Sequence, residues 1–95
     1  MKDLERLRAE LDTVDRELVG LFERRMLLAC QVAVYKRAHE LPVLDASREE
    51  RVIASRTAML TDSRWSEYVR ALYQEIMALS RGAQERCLKE AHGHD

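Results

Sequence analysis

The sequence predicts an all-α fold: three helices per chain, a long first, a short second and a medium third, in an intertwined helical homodimer. Three observations carry that expectation. Residues 3–38 contain no proline and a single glycine, Gly20. Apolar residues recur along them in alternating steps of three and four, the period of a helical seam. The composition, 46% hydrophobic and 35% charged with only 5% aromatic, suits amphipathic helices and supplies few of the residues a sheet prefers.

The first helix is expected over Asp3 to Ala38. Leu4, Leu7, Leu11, Val14, Leu18, Leu21, Arg25, Leu28, Val32 and Tyr35 occupy ten successive seam positions, and nine of them are apolar or aromatic. Leu41-Pro42 marks the stop, because a proline pushes the residue before it out of the helical region. Such a helix is ~54 Å long at 1.5 Å per residue, whereas a compact chain of this size has a radius of gyration of about 12 Å. Much of the seam would stay in water unless a second copy covered it. This is the argument for the dimer. A second helix is expected to start at Asp45 or Ser47, as N-cap, with acids in its first turn, and to run to about Met59. Thr61-Asp62-Ser63 breaks it. Trp65, Val69, Leu72, Ile76, Leu79, Ala83 and Cys87 then mark a third helix running to about Ala91.

The 95 residues are read as a single domain, 1–95, with its core at about 4–88 and a flexible tail at 92–95. A formal charge of −1 offers no field for a nucleic acid or an anionic membrane surface, so neither is expected as a partner. No stretch approaches the roughly 20 apolar residues of a membrane span, and the amino end lacks the apolar core of a signal peptide. The chain reads as cytoplasmic. Cys30 and Cys87, 57 positions apart and outside any CxxC pattern, are read as half-buried thiols of a reducing compartment. No metal and no cofactor is expected: the sequence holds no Gly-rich phosphate loop or HExxH, and His92-x-His94 has no further ligands around it.

The informative positions are those where the helical period asks for an apolar residue and finds a polar one. Arg25 interrupts the seam. A buried guanidinium needs a partner, which is either an acid such as Asp15 or Glu49, or the carboxylate of a ligand held by its planar fork. Lys36 follows eleven residues later, about 20° round the axis and about 16 Å along it, so both side chains can reach one small anion. The alternative for Lys36 is a solvated charge complementing the helix dipole. Arg8 borders the same seam but lies about 42 Å from Lys36, so it could join them only from the other chain of an antiparallel dimer. On the third helix Tyr73, Met77, Ser80 and Gln84 share one row. Ser80 and Gln84 either make interhelical hydrogen bonds or complete a polar pocket with Arg25 and Lys36. Glu49 falls on the inward side of the second helix with Val52 and Ile53. Cations, an amide, a hydroxyl and an acid, with no nucleophile, suit a reaction that needs only orientation and charge stabilisation.

L-R-x-E-L-D-x-V-D-R-E-L at Leu7 to Leu18, L-F-E-R-R-M at Leu21 to Met26 and V-A-V-Y-K at Val32 to Lys36 resemble the all-helical (type II) class of chorismate mutase. P-V-L-D-A-S-R-E at Pro42 to Glu49 and I-M-A-L-S-R-G-A-Q at Ile76 to Gln84 extend the likeness, which covers about residues 4–88. The resemblance implies an isomerase of aromatic amino-acid biosynthesis that rearranges chorismate to prephenate within one molecule, without cofactor or covalent intermediate. It also implies a homodimer in which each site borrows an arginine from the partner chain.

Carried over residue by residue, Arg25 and the partner chain's copy of Arg8 would hold the two substrate carboxylates. Lys36 and Gln84 would donate to the ether oxygen, Glu49 and Asp45 would meet the ring hydroxyl, and Arg48 and Ser80 would support them. The catalytic set is then Arg25, Lys36, Glu49 and Gln84. Two features depart from the family pattern: the turn at Thr61 to Trp65 is short and lacks a glycine, and no fused dehydratase, dehydrogenase or amino-acid-sensing domain is expected. Isochorismate pyruvate lyase and aminodeoxychorismate mutase are alternatives on the same scaffold. The D-x-x-R-E pattern of Asp45, Arg48 and Glu49 favours chorismate mutase over both. From a different class, the chain could be a non-catalytic helical dimerisation module, a reading the polar interruptions oppose.

Overall fold

The computed structural model describes residues 2–93, and side chains within 3–90. Helix α1 spans Lys2–Ala38, α2 spans Ala46–Thr57 and α3 spans Ser66–Gly93, the last entered through a 3-10 turn at Ser63–Trp65. No strand occurs among the described residues. The expected lengths hold: 37, 12 and 28 residues. His92 and Gly93, expected to belong to a flexible tail, continue α3. The rest of that expected tail, residues 94–95, lies outside the described residues.

Local chemistry explains the element ends. Glu40 adopts the left-handed conformation at φ 56°, and the Leu41 amide donates to the Lys36 carbonyl at 2.8 Å. This is a six-to-one helix closure of the kind usually built on glycine. The helix therefore stops before Leu41-Pro42, with the proline following the turn instead of causing it. Asp45 caps α2, its carboxylate accepting from the Arg48 amide. Asp62 caps the 3-10 turn in the same way through the Arg64 amide.

Helix α3 is the shared surface, packing against α1 on one side and α2 on the other. Val52 and Ile53 of α2 are buried against Met77, with Tyr73 and Ile76 packed around them. Toward α1 the contact runs along Phe22, Arg25, Met26, Ala29, Cys30, Ala33 and Lys36, each at least half-buried and spaced at three and four. This is not the seam read from the sequence. All nine apolar seam residues stay exposed, from 44% at Leu4 to 62% at Leu21, and every residue from 3 to 21 is exposed. The α3 stripe holds in part: Val69, Ile76, Ala83 and Cys87 are at least half-buried, whereas Trp65, Leu72 and Leu79 remain exposed and Met77, Ser80 and Gln84 are buried instead. The chain is drawn out to 56 × 30 × 14 Å with a radius of gyration of 17.0 Å, well above the about 12 Å of a compact chain this long.

Cys30 of α1 and Cys87 of α3 form a disulfide across a Cα–Cα distance of 5.8 Å. This corrects the reading of two free thiols. Sequence spacing says nothing about pairing, which needs the two helices side by side and the two Cβ atoms facing each other. The bridge closes a loop of 57 residues, for which the chain-entropy argument gives about 4 kcal/mol of stabilisation. Reduction under native conditions should therefore lower the denaturant midpoint of the oxidised protein, and a Cys30→Ser variant should show no change on adding reductant.

Candidate active site

Because α1 and α2 both pack on α3 and not on each other, a cleft opens between them with α3 as its floor. Its volume is about 550 Å³, within the range of about 300–1,000 Å³ typical of small-molecule sites. Helix α1 contributes Arg25, Leu28, Ala29, Val32 and Lys36. The loop and α2 contribute Val43, Asp45, Arg48, Glu49, Val52 and Arg56, and α3 contributes Met77, Ser80, Arg81 and Gln84. Seven of the eight residues singled out in the sequence converge here.

The exception is Arg8. It sits on the exposed amino-terminal part of α1 and does not line the cleft, as the distance along the helix requires within one chain.

Arg25 finds neither Asp15 nor Glu49. Its Nη1 donates to Ser80 Oγ at 3.2 Å, and its guanidinium lies 5.9 Å from the Tyr73 ring centre. The cation is thus packed and oriented by neutral groups, and among the described residues no acid lies within salt-bridge distance of it. Of its five N–H donors, those not used on Ser80 remain for an anion. Lys36 Nζ donates to the Val43 carbonyl at 3.0 Å, which ties the end of α1 to the loop before α2 and holds the ammonium at the cleft wall. Two of its three donors stay free.

Ser80 and Gln84 are each only 8% exposed. Gln84 Nε2 donates to the Ala29 carbonyl at 3.1 Å, so both open readings of this pair hold at once: the side chains bridge helices and also line the cleft. An amide nitrogen carries two hydrogens. The Ala29 bond uses one and fixes the direction of the other.

Asp45 lines the mouth of the cleft. Its Oδ1 accepts from the Arg48 amide at 3.0 Å and from Ser47 Oγ at 3.1 Å. The Arg48 amide, the Ser47 hydroxyl and the nearby Arg51 and Lys36 charges together hold its carboxyl below the usual value of 3.8, against a smaller opposing effect of desolvation. A depressed folded-state value means that the cap's contribution is complete above the unfolded value and is lost as pH falls through the folded one. Acid titration should therefore fray the start of α2 in the parent protein, and Asp45→Asn should flatten that part of the helix-content profile.

Two cleft residues escaped the sequence reading. Arg81 forms a salt bridge with Glu49 across the α2–α3 contact, and Arg56 lines the α2 wall. The spacing held a signal for each. Arg81 lies four residues after Met77 and three before Gln84, and Arg56 lies four after Val52, so each falls on an inward-facing row. In all, five cations face two acids in the cleft, a lining built for an anion.

Fold and cleft together give an all-helical chain with a cleft of net positive charge, lined by side chains of three helices and the loop before α2. The family model described as "Chorismate mutase type II" matches residues 7–85, and the chain belongs to that family. It is 41% identical over 56 residues, 59% of its length, to the T-protein of Haemophilus influenzae, of which the match covers 15%. It is also 41% identical over 46 residues, 48% of its length, to the 4-amino-4-deoxychorismate mutase of Streptomyces venezuelae, of which the match covers 45%. The matched part is thus less than half of either relative. No solved structure matches the chain significantly. Among the described residues, no helix is long and apolar enough to cross a membrane.

Proposed function

We propose that the chain is a chorismate mutase, an isomerase that converts chorismate to prephenate for phenylalanine and tyrosine synthesis and that uses no cofactor. The observation that carries this reading is the convergence of Arg25, Lys36, Ser80 and Gln84 on one cleft, each cation and amide already oriented by a protein partner and with donors to spare. In a pericyclic rearrangement the ether bond breaks as a carbon–carbon bond forms, and negative charge builds on the ether oxygen. Lys36 from the α1 wall and Gln84 from the α3 floor donate to that oxygen. Fixed donors stabilise the charge more in the transition state than in the ground state. Arg25 takes one substrate carboxylate from the α1 side and Arg48 supports the substrate from the α2 side, so the flexible substrate is held in its folded conformer. Glu49 and Asp45 meet the ring hydroxyl.

The second carboxylate is assigned to Arg8 of the other copy in a homodimer. Support comes from the exposed seam: a soluble chain leaving nine apolar side chains in one row unburied needs a cover, and a second α1 with the same period fits it. The single domain is taken as residues 1–95 and the location as cytoplasmic.

Incubating the purified protein with chorismate, following loss of its diene absorbance and identifying prephenate, tests the proposal. The same assay with 4-amino-4-deoxychorismate and with isochorismate separates the alternatives on this scaffold. Conversion of isochorismate or 4-amino-4-deoxychorismate with none of chorismate would reject the reading.

A further inference from the structure

The Glu49–Arg81 pair stands inside the cleft, and its arginine has no role in the mechanism above. Both residues line it, and both are partly shielded, with side-chain exposures of 23% for Glu49 and 38% for Arg81. Arg81 Nη1 binds Glu49 Oε1, and among the described residues the Glu49 carboxylate has no other hydrogen-bond partner, which leaves Oε2 free to accept from a ligand. Glu49 therefore faces the cleft as a carboxylate whose charge is already offset. It can accept a hydrogen bond from a neutral donor while offering little net attraction to a cation.

We infer that Arg81 is a specificity-determining positioning residue which, through Glu49, makes the cleft prefer a substrate with a neutral hydroxyl at this point over the same skeleton carrying an amine. The inference rests on the reading of the cleft as the substrate site. An aliphatic amine is protonated near neutral pH, so the amino analogue brings a positive charge to a place where Arg81 offsets the charge of Glu49, one of the two acids of the cleft. The hydroxyl analogue carries the same two carboxylates but brings no cation to this point, and it meets Glu49 only as a hydrogen-bond acceptor. Removing Arg81 unmasks the Glu49 carboxylate, which then favours the ammonium of the amino analogue. One of the matching relatives is named for the amino substrate, the 4-amino-4-deoxychorismate mutase, while the family model is named for chorismate.

The test is the ratio of kcat/KM for chorismate to kcat/KM for 4-amino-4-deoxychorismate in the parent and in Arg81→Met, Arg81→Lys and Glu49→Gln variants. The ratio should fall about fivefold in Arg81→Met, the upper end for a partly exposed ion pair, and return to near the parent value in Arg81→Lys. Adding Arg81→Met to Glu49→Gln should move the ratio less than it does in the parent, because the group through which Arg81 acts is gone. A general loss of packing would lower both kcat/KM values together and leave the ratio unchanged. An unchanged or rising ratio in Arg81→Met, with the parent active on chorismate, overturns this inference and spares the functional reading. A parent inactive on both substrates removes the two together. Should Arg81→Met fail to fold, Arg81→Gln read against Arg81→Lys decides the same question.

Discussion

Arg25→Ala is expected to lower kcat/KM for chorismate by about 10²- to 10³-fold, the usual loss when one fixed donor to a developing or bound anion is removed. Folding stability should change by no more than about 1 kcal/mol, because the substitution also removes a half-buried guanidinium. The separation of the two effects follows from the surroundings. Arg25 is held by the Ser80 hydroxyl and lies over the Tyr73 ring, so its removal breaks no ion pair and strands no buried acid. A purely structural arginine would behave the other way, with loss of stability leading and activity following it down. Thermal melts and steady-state kinetics on the same preparation distinguish them. A variant that converts chorismate at the parent rate would remove Arg25 from the site.

What the sequence showed and what it hid have one physical basis. Side chains that interrupt a strong period stand out, which is why Arg25, Lys36, Ser80 and Gln84 were legible and why they meet in the structure. The long helix was legible for the same reason, since nine apolar residues in ten seam positions leave no competing pattern.

The face that α1 turns to its own α3 was not legible. It is built in part from Ala29, Cys30 and Ala33, small side chains with weak hydrophobic signal beside a row of leucines and valines. Small residues bring helices close, and that closeness puts Cys30 within bonding distance of Cys87. Arg81 and Arg56 were hidden by composition. In a chain that is 35% charged, an arginine beside an inward-facing row resembles the many solvated ones. The spacing of Arg81 from Met77 and Gln84 was a signal too weak to separate it from those, and the position of Glu49 across the α2–α3 contact is what singles it out.

Mixing two inactive variants should restore activity. Arg8→Ala and Arg25→Ala are each expected to lose most turnover as homodimers. If Arg8 serves the site of the other chain, a mixed dimer contains one site with both residues intact and one site lacking both. Random exchange places half the chains in mixed dimers, so the mixture should recover about a quarter of parent activity. Arg8 lies on the stretch of α1 from 3 to 21 where every residue is exposed, about 25 Å along the helix from Arg25. It therefore has no route to its own chain's cleft, and its loss can affect chemistry only through a partner. Co-refolding the two variants at equal concentration, with each one refolded alone as control, gives the measurement. Activity no higher than the mean of the two controls would place both arginines in one chain's site, or Arg8 in none. Restored activity would fix the antiparallel pairing of the two long helices, since a parallel pair sets each Arg8 beside its own counterpart and far from either cleft.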